Sequence, residues 1–280
     1  IRGIVPYISA STLRSADRSG PTSEHRELCF LFTDIRGFTS LCEGLSPEDV
    51  VAILNRYLDL QSSIIASNHG DIDKFVGDEV MAMFEGDEKE LNASRCALQI
   101  REAMEEERKK ALAEGKSVVS IGIGINAGPV VFGSVGAKDR MDFTSIGDTV
   151  NLAARLEGAN KAYGTKSLIS EAVYKAIKDE FLCREIDLMT VKGKNKPVRI
   201  FEILMPLETA SAKDTKFSKA FESALRSYRA QKWDKALEIF EKIEELYDDE
   251  PSRVFIQRIK LFRKNPPPAK WDGVFNLLAK

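Results

Sequence analysis

Histidine is almost missing from this 280-residue chain, which holds two, and cysteine is scarce at four. His25 and His69 fall in surface or turn contexts and take no functional assignment. Cys29, Cys42, Cys96 and Cys183 are widely spaced and form no Cys-x-x-Cys pair, which argues against a zinc framework or a disulfide scaffold. Cys29 lies in an apolar run and Cys96 on the apolar face of an expected helix, so both read as core thiols of a reducing, cytoplasmic compartment. No apolar run is long enough to cross a bilayer, and no signal peptide is expected. Positive charge is not in excess either: 41 Lys and Arg face 43 Asp and Glu, for a net charge of −2. A nucleic-acid surface is therefore not indicated, although a local cationic cleft for a small anion is compatible with such a sum.

The length suits one full domain and a smaller second unit. The chain opens on Ile1, and a longer protein with an upstream sensor or membrane segment is the expectation. Residues 1–24 mix a short apolar start with the polar stretch Ser11–Pro21 and read as a linker. Leu28–Phe32 is a continuous apolar run, as in a buried strand, ending at Asp34 before a turn at Gly37. Ser46-Pro47-Glu48-Asp49 starts a helix, with Ser as N-cap, Pro in the first turn and acids at the positive end of the dipole. Apolar residues keep helical spacing to about Ala66, and Asn68-His69-Gly70 stops them. Ile72–Val76 and Glu79–Phe84 flank Gly77-Asp78 as a hairpin. A helix with Cys96, Ala97, Ile100, Ala103 and Met104 on one face follows. Then comes a period-two strand of Val119, Ile121, Ile123 and Ile125, after which Asn126-Ala127-Gly128-Pro129 is expected to turn the chain. The order is βαββαβ, so the fold class is α+β: a ferredoxin-like arrangement with extra strands and helices over 25–205.

Beyond Met205-Pro206 the pattern becomes helical to the end, over 206–280. Phe217, Phe221, Ala224, Leu225 and Tyr228 make one stripe, Trp233, Ala236, Leu237, Phe240 and Ile243 a second, and Pro251 opens a third. The spacing of Trp233, Ala236, Phe240 and Pro251 looks like part of one tetratricopeptide-type repeat. A single unit of that kind cannot bury a continuous core, so it should dock on the preceding domain or on a partner protein.

Two carboxylates hold suggestive positions. Asp34 ends a buried strand and Asp78 occupies a tight turn; either alone reads as turn chemistry, while two convergent aspartates suit Mg²⁺ or Mn²⁺ with a nucleotide's phosphates. Asn151 and Arg155 are four residues apart, on one face of a helix starting near Asp148, and alone would read as an exposed polar face. Lys192 beside Gly193 would otherwise be a surface charge.

The words around these residues narrow the reading. Phe32-Thr33-Asp34-Ile35-Arg36-Gly37-Phe38-Thr39 resembles the first metal-binding segment of class III adenylyl and guanylyl cyclases, and Lys74-Phe75-Val76-Gly77-Asp78-Glu79 resembles the second. Ser145–Leu156 and Val191-Lys192-Gly193-Lys194 resemble two further signatures, in the family's order across roughly Glu27 to Leu204. The resemblance implies two divalent metal ions, Mg²⁺ or Mn²⁺, held by Asp34, Asp78 and the backbone carbonyl of Ile35. It implies that Asn151 orients the ribose, Arg155 stabilises charge on the α-phosphate, and Lys192 binds the terminal phosphates. Lys74 and Thr144 match the base-reading positions in the combination of the subgroup called IIIb, favouring ATP and hence 3′,5′-cyclic AMP as product. Arg140 matches an arginine tied to bicarbonate binding in that subgroup, so activation by bicarbonate is a hypothesis from the resemblance. It further implies a head-to-tail homodimer whose two sites are each built from both subunits. The alternatives are a guanylyl cyclase, or a silent cyclase-like module that dimerises and relays a signal.

Overall fold

In the computed structural model the described residues are 23–137, 140–190, 197–268 and 270–274, with no side-chain description at 137 and 140–142. The chain divides into two compact units, 1–157 and 158–280.

The first unit is built on strand β1 (Ser23–Arg36), which pairs antiparallel with β3 (Glu79–Phe84) on one side and β4 (Ser120–Ala137) on the other. β2 (Asp71–Val76) pairs with β3, giving the order β2-β3-β1-β4, and β5 (Arg140–Ile146) pairs with β4. This is the βαββ-αβ order and strand arrangement of a ferredoxin-like sheet. Side chains alternate across β1: Leu28, Phe30 and Phe32 join Met81, Met83, Val130, Phe132 and Ala153 in one buried cluster.

Helix α1 (Phe38–Cys42) is short; α2 (Pro47–Ser67) begins as its sequence predicts, the Ser46 hydroxyl accepting from the backbone N–H of Asp49. Asn68 and His69 end it, His69 at a φ of 61°. Helix α3 (Lys89–Ala113) buries Ala93, Cys96, Ala97, Ile100 and Met104. Cys29, Cys96 and Cys183 are all buried free thiols, and Cys42 is a half-buried one.

One expectation fails. Asn126–Pro129 does not turn the chain: β4 runs through it, with Asn126 opposite Phe30 and Pro129 opposite Glu27. Pro129 lacks an N–H, but it lies beyond the reach of β5, whose pairing starts at Val131. Helix α4 (Asp148–Tyr163) fastens this stretch: Asn126 Nδ2 donates to the Thr149 carbonyl at 2.8 Å, and Thr149 Oγ1 donates to the Pro129 carbonyl at 2.8 Å. β1 likewise starts at Ser23 and carries Asp34 within it, two residues before its end.

The second unit holds β6 (Ser167–Ser170), helix α5 (Glu171–Ile177), β7 (Phe181–Met189) and β8 (Val198–Pro206), with β8 between β6 and β7 in antiparallel pairing. Helices α6 (Ala212–Arg229), α7 (Trp233–Tyr247) and α8 (Glu250–Lys264) follow. Their predicted stripes meet: Phe221 lies edge-on to Phe240 and Phe255, and Tyr228 packs edge-on against Trp233, Phe255 and Trp271. Buried ion pairs tie the third of these helices, α8, and its N-cap Asp249 to β7. Arg184 bridges Glu202 at 2.6 Å and Asp249 at 2.9 Å beneath Phe217 and Phe221, while Arg258 meets Asp187 at 2.7 Å. The register shift between Glu185 and Asp187 adds a residue to β7, which puts Arg184 and Asp187, three positions apart, on one face.

Candidate active site

The β1–β3 register carries the acidic pair. Thr33 stands opposite Val80, so Asp34 comes alongside the turn formed by Gly77, at φ 64°, and Asp78. Burial, and next the charge of Asp78, push the Asp34 carboxyl above its ordinary value, with Arg36 pulling the other way. Glu79 is lifted by burial and by Asp34 and Asp78. Two converging carboxylates that repel each other without a cation are a fitting donor set for a hard divalent ion. Among the described residues no group of three or more His, Cys, Asp or Glu is arranged to hold a metal. Two carboxylates completed by a ligand's phosphate oxygens match the way Mg²⁺ is commonly bound. Ile35 has a hydrocarbon side chain, which is buried, so its backbone carbonyl is the only oxygen it can offer.

Helix α4 comes close to the same sheet face. Gly122 is opposite Asp34 and Gly124 opposite Phe32. A Cβ at Gly124 would stand 2.9 Å from Glu157 Cα, and one at Gly122 would stand 2.7 Å from Arg36 Nη2. The bare glycines thus let α4 approach and leave room for the Glu157 carboxylate and the Arg36 guanidinium. Burial first, then the Asp34 charge, raise the Glu157 carboxyl to about 7, with Arg36 opposing. Asn151 is exposed and Arg155 half-buried, both on α4 with the four-residue spacing of one helix face.

Lys74 and Thr144, which the sequence resemblance pairs, are in direct contact. Lys74 Nζ donates to Thr144 Oγ1 at 3.2 Å. A third residue joins them: Thr144 Oγ1 donates to Asp73 Oδ2 at 3.1 Å, and Lys74 Nζ is 3.3 Å from the same oxygen. The Asp73 side chain is wholly buried, which lifts its carboxyl above the ordinary value, while Lys74 and Thr144 hold it down. Adjacent strand residues ordinarily face opposite ways. Here the register slips between Ile72 and Lys74, leaving Asp73 as the extra residue of a bulge, which re-aims neighbouring side chains.

Sequence reasoning missed Asp73, Glu157, Glu79 and Arg36 as members of these clusters. Glu157 could have been noticed as an acid next to the buried Leu156, two residues past Arg155; the bulge at Asp73 has no comparable signal. Arg140 starts β5, but its side chain is outside the described part, and Lys192 lies outside the described residues altogether.

A family model described as "Adenylate and Guanylate cyclase catalytic domain" matches residues 21–204. Adenylate cyclase 1 of Rhizobium meliloti is 40% identical over 196 residues, 69% of this chain and 30% of that protein. The crystal structure of adenylyl cyclase CyaB from P. aeruginosa is similar at a TM-score of 0.61 and 37% identity, covering 69% of this chain and 98% of that one. The guanylyl cyclase Cya2 is similar at a TM-score of 0.58 and 31% identity, covering 68% and 97%. The chain spans 11% to 37% of the length of three curated relatives named adenylate cyclase. With 21–204 matched and the cyclase fold present, the chain belongs to the adenylate and guanylate cyclase catalytic domain family.

Proposed function

We propose that this chain is an adenylyl cyclase that converts ATP to 3′,5′-cyclic AMP and pyrophosphate. The observation that carries the reading is the Lys74–Thr144 contact at 3.2 Å. It gives the sheet that bears Asp34 and Asp78 a base-reading group with a cationic donor where adenine offers the N1 acceptor. A guanylyl cyclase would have to read the N1–H of guanine, a donor, against that same ammonium. Names of relatives support the same choice.

In the reaction the ribose 3′-oxygen bonds to the α-phosphorus, and the bond from that phosphorus to its bridging oxygen breaks. Pyrophosphate leaves with the electron pair, and the hydroxyl proton passes to solvent. Asp34, Asp78 and the Ile35 carbonyl would hold two divalent ions, Mg²⁺ or Mn²⁺. When bound, such ions supply charge that acidifies the attacking hydroxyl and offsets negative charge on the phosphates. Asn151 orients the ribose. Arg155 donates from its planar fork to α-phosphate oxygens as their charge grows. Lys192 binds the terminal phosphates. Thr144 accepts from the adenine N6 amino group.

Asp34 and Asp78 would serve one site with Asn151 and Arg155 of a second copy, in a head-to-tail homodimer with two such sites. Thr144 beside Lys74 supports the IIIb-like subgroup, and with it Arg140 as a bicarbonate-sensing position. The three terminal helices form a tetratricopeptide-like docking element for a partner protein.

The test is stoichiometric: with ATP and Mn²⁺ or Mg²⁺, cyclic AMP and pyrophosphate should appear in equal amounts, and both should vanish with a chelator or in Asp34→Asn. Phosphate release without cyclic AMP would mean a different phosphoryl chemistry.

A further inference from the structure

We infer that Asp73 is a positioning residue for base selection: it commits the Thr144 hydroxyl proton, so that Thr144 can only accept a hydrogen bond from the base. The inference rests on Lys74 and Thr144 being the base readers. Its support is the geometry of the three side chains together with their donor and acceptor inventories.

A threonine hydroxyl has one proton and two lone pairs and is free in principle to donate or accept. A carboxylate accepts only, and an ammonium donates only. Thr144 Oγ1 stands 3.1 Å from Asp73 Oδ2 and 3.2 Å from Lys74 Nζ. Its proton must therefore point to Asp73 and one lone pair to Lys74, whatever the other groups around it. One lone pair remains. Lys74 in turn spends donors on Thr144 and on Asp73 Oδ2, at 3.3 Å, and has one left. The cluster thus offers one donor and one acceptor side by side. Adenine presents the complement, an N1 acceptor next to an N6 donor. Guanine presents the reverse, an N1 donor next to an O6 acceptor, and would leave polar groups facing like groups.

A bare threonine would not discriminate in this way, because its hydroxyl can rotate to serve O6. The bulge between Ile72 and Lys74 is what lets Asp73, next to Lys74 in the chain, reach the same hydroxyl. The Asp73 side chain is wholly buried, so water does not compete for the hydroxyl proton.

Asp73→Asn tests this, because the amide has nearly the same shape but can donate to Thr144 and release the hydroxyl proton. The ratio of kcat/KM for ATP to that for GTP should fall about tenfold, the scale of one exchanged hydrogen bond. The relative affinity for 3′-deoxy analogues of ATP and GTP, which cannot cyclise, should shift the same way. Loss of activity on both nucleotides with both ratios unchanged would overturn the inference and leave Asp73 a folding residue. In a Thr144→Val background Asp73→Asn should no longer move either ratio; an equal shift without the hydroxyl would also overturn it. Thr144→Val alone keeps the carboxylate and should lose the ATP preference by a similar factor, which covers the case of Asp73→Asn failing to fold; an undiminished preference would count against the inference. Failure of the cyclase reading looks different: the unaltered chain would form no cyclic nucleotide, while the binding ratios would still judge Asp73.

Discussion

Gly124 of β4 lies so close beneath Ala153 and Glu157 of α4 that a Cβ at this position would collide with the Ala153 carbonyl oxygen and the Glu157 backbone N–H. Those obstacles are helix backbone and cannot swing aside. Gly124→Ala should therefore displace α4, the helix bearing Asn151 and Arg155. A loss of about 3 kcal/mol of stability is expected from overpacking of this kind, with cyclisation falling further than folding does. Chemical denaturation beside an activity assay checks it; unchanged stability would mean that α4 does not rest on the strand at this point.

In the second unit, Arg258 of α8 meets Asp187 of β7 at 2.7 Å, and the Tyr163 hydroxyl donates to the same carboxylate oxygen at 3.0 Å. Arg258→Met would strand a buried carboxylate with one cationic partner gone. The expected cost is about 3 kcal/mol, in the range for breaking a buried pair from one side. Arg258→Met combined with Asp187→Leu should recover part of it. A single variant as stable as the unaltered chain would show the pair to be idle.

The Glu157 carboxyl, raised to about 7 chiefly by burial and then by Asp34, makes stability depend on pH. Its folded value lies above the ordinary one near 4.5, so between the two the folded chain holds a proton that the unfolded chain releases. Stability contributed by this group is present below the ordinary value and is lost as pH rises through about 7. The metal-free protein should melt at a lower temperature at about pH 8 than at about pH 5, and Glu157→Gln should shrink that difference. Added Mg²⁺ or Mn²⁺ should raise the melting temperature most at the higher pH. Identical pH profiles for variant and parent would contradict the assignment.

Shared sites predict complementation. Asp34→Ala and Arg155→Ala should each be inactive alone. Mixed in equal amounts and allowed to exchange subunits, they should recover about a quarter of parental activity, since half the dimers would be mixed and each would hold one intact site of two. Mixed dimers that form but stay inactive would rule out sites built from both subunits.

Much of the fold was legible because its signals are local. The Ser46-Pro47 cap, the hairpin around Gly77-Asp78 and the aromatic stripes of the terminal helices each read from a few neighbouring residues and recur in the structure. Asn126–Pro129 misled because its turn residues are satisfied from a distance, by Thr149 at the start of α4. Gly122 and Gly124 read as the small face of an alternating strand, and only the approach of α4 explains why that face is small. The Lys74–Thr144 contact joins residues seventy positions apart, and resemblance to a family brought them together before geometry did. Asp73 stayed hidden because period-two alternation places it on the opposite face from Lys74, and a bulge is not written in composition.

The most direct test is to give the purified chain ATP and GTP in parallel, with Mn²⁺ or Mg²⁺, and to separate the products by chromatography. Cyclic AMP formed chiefly from ATP is the predicted result. Cyclic GMP as the main product would contradict the reading of Lys74 and Thr144, and no cyclic product from a folded dimer would contradict the catalytic account as a whole.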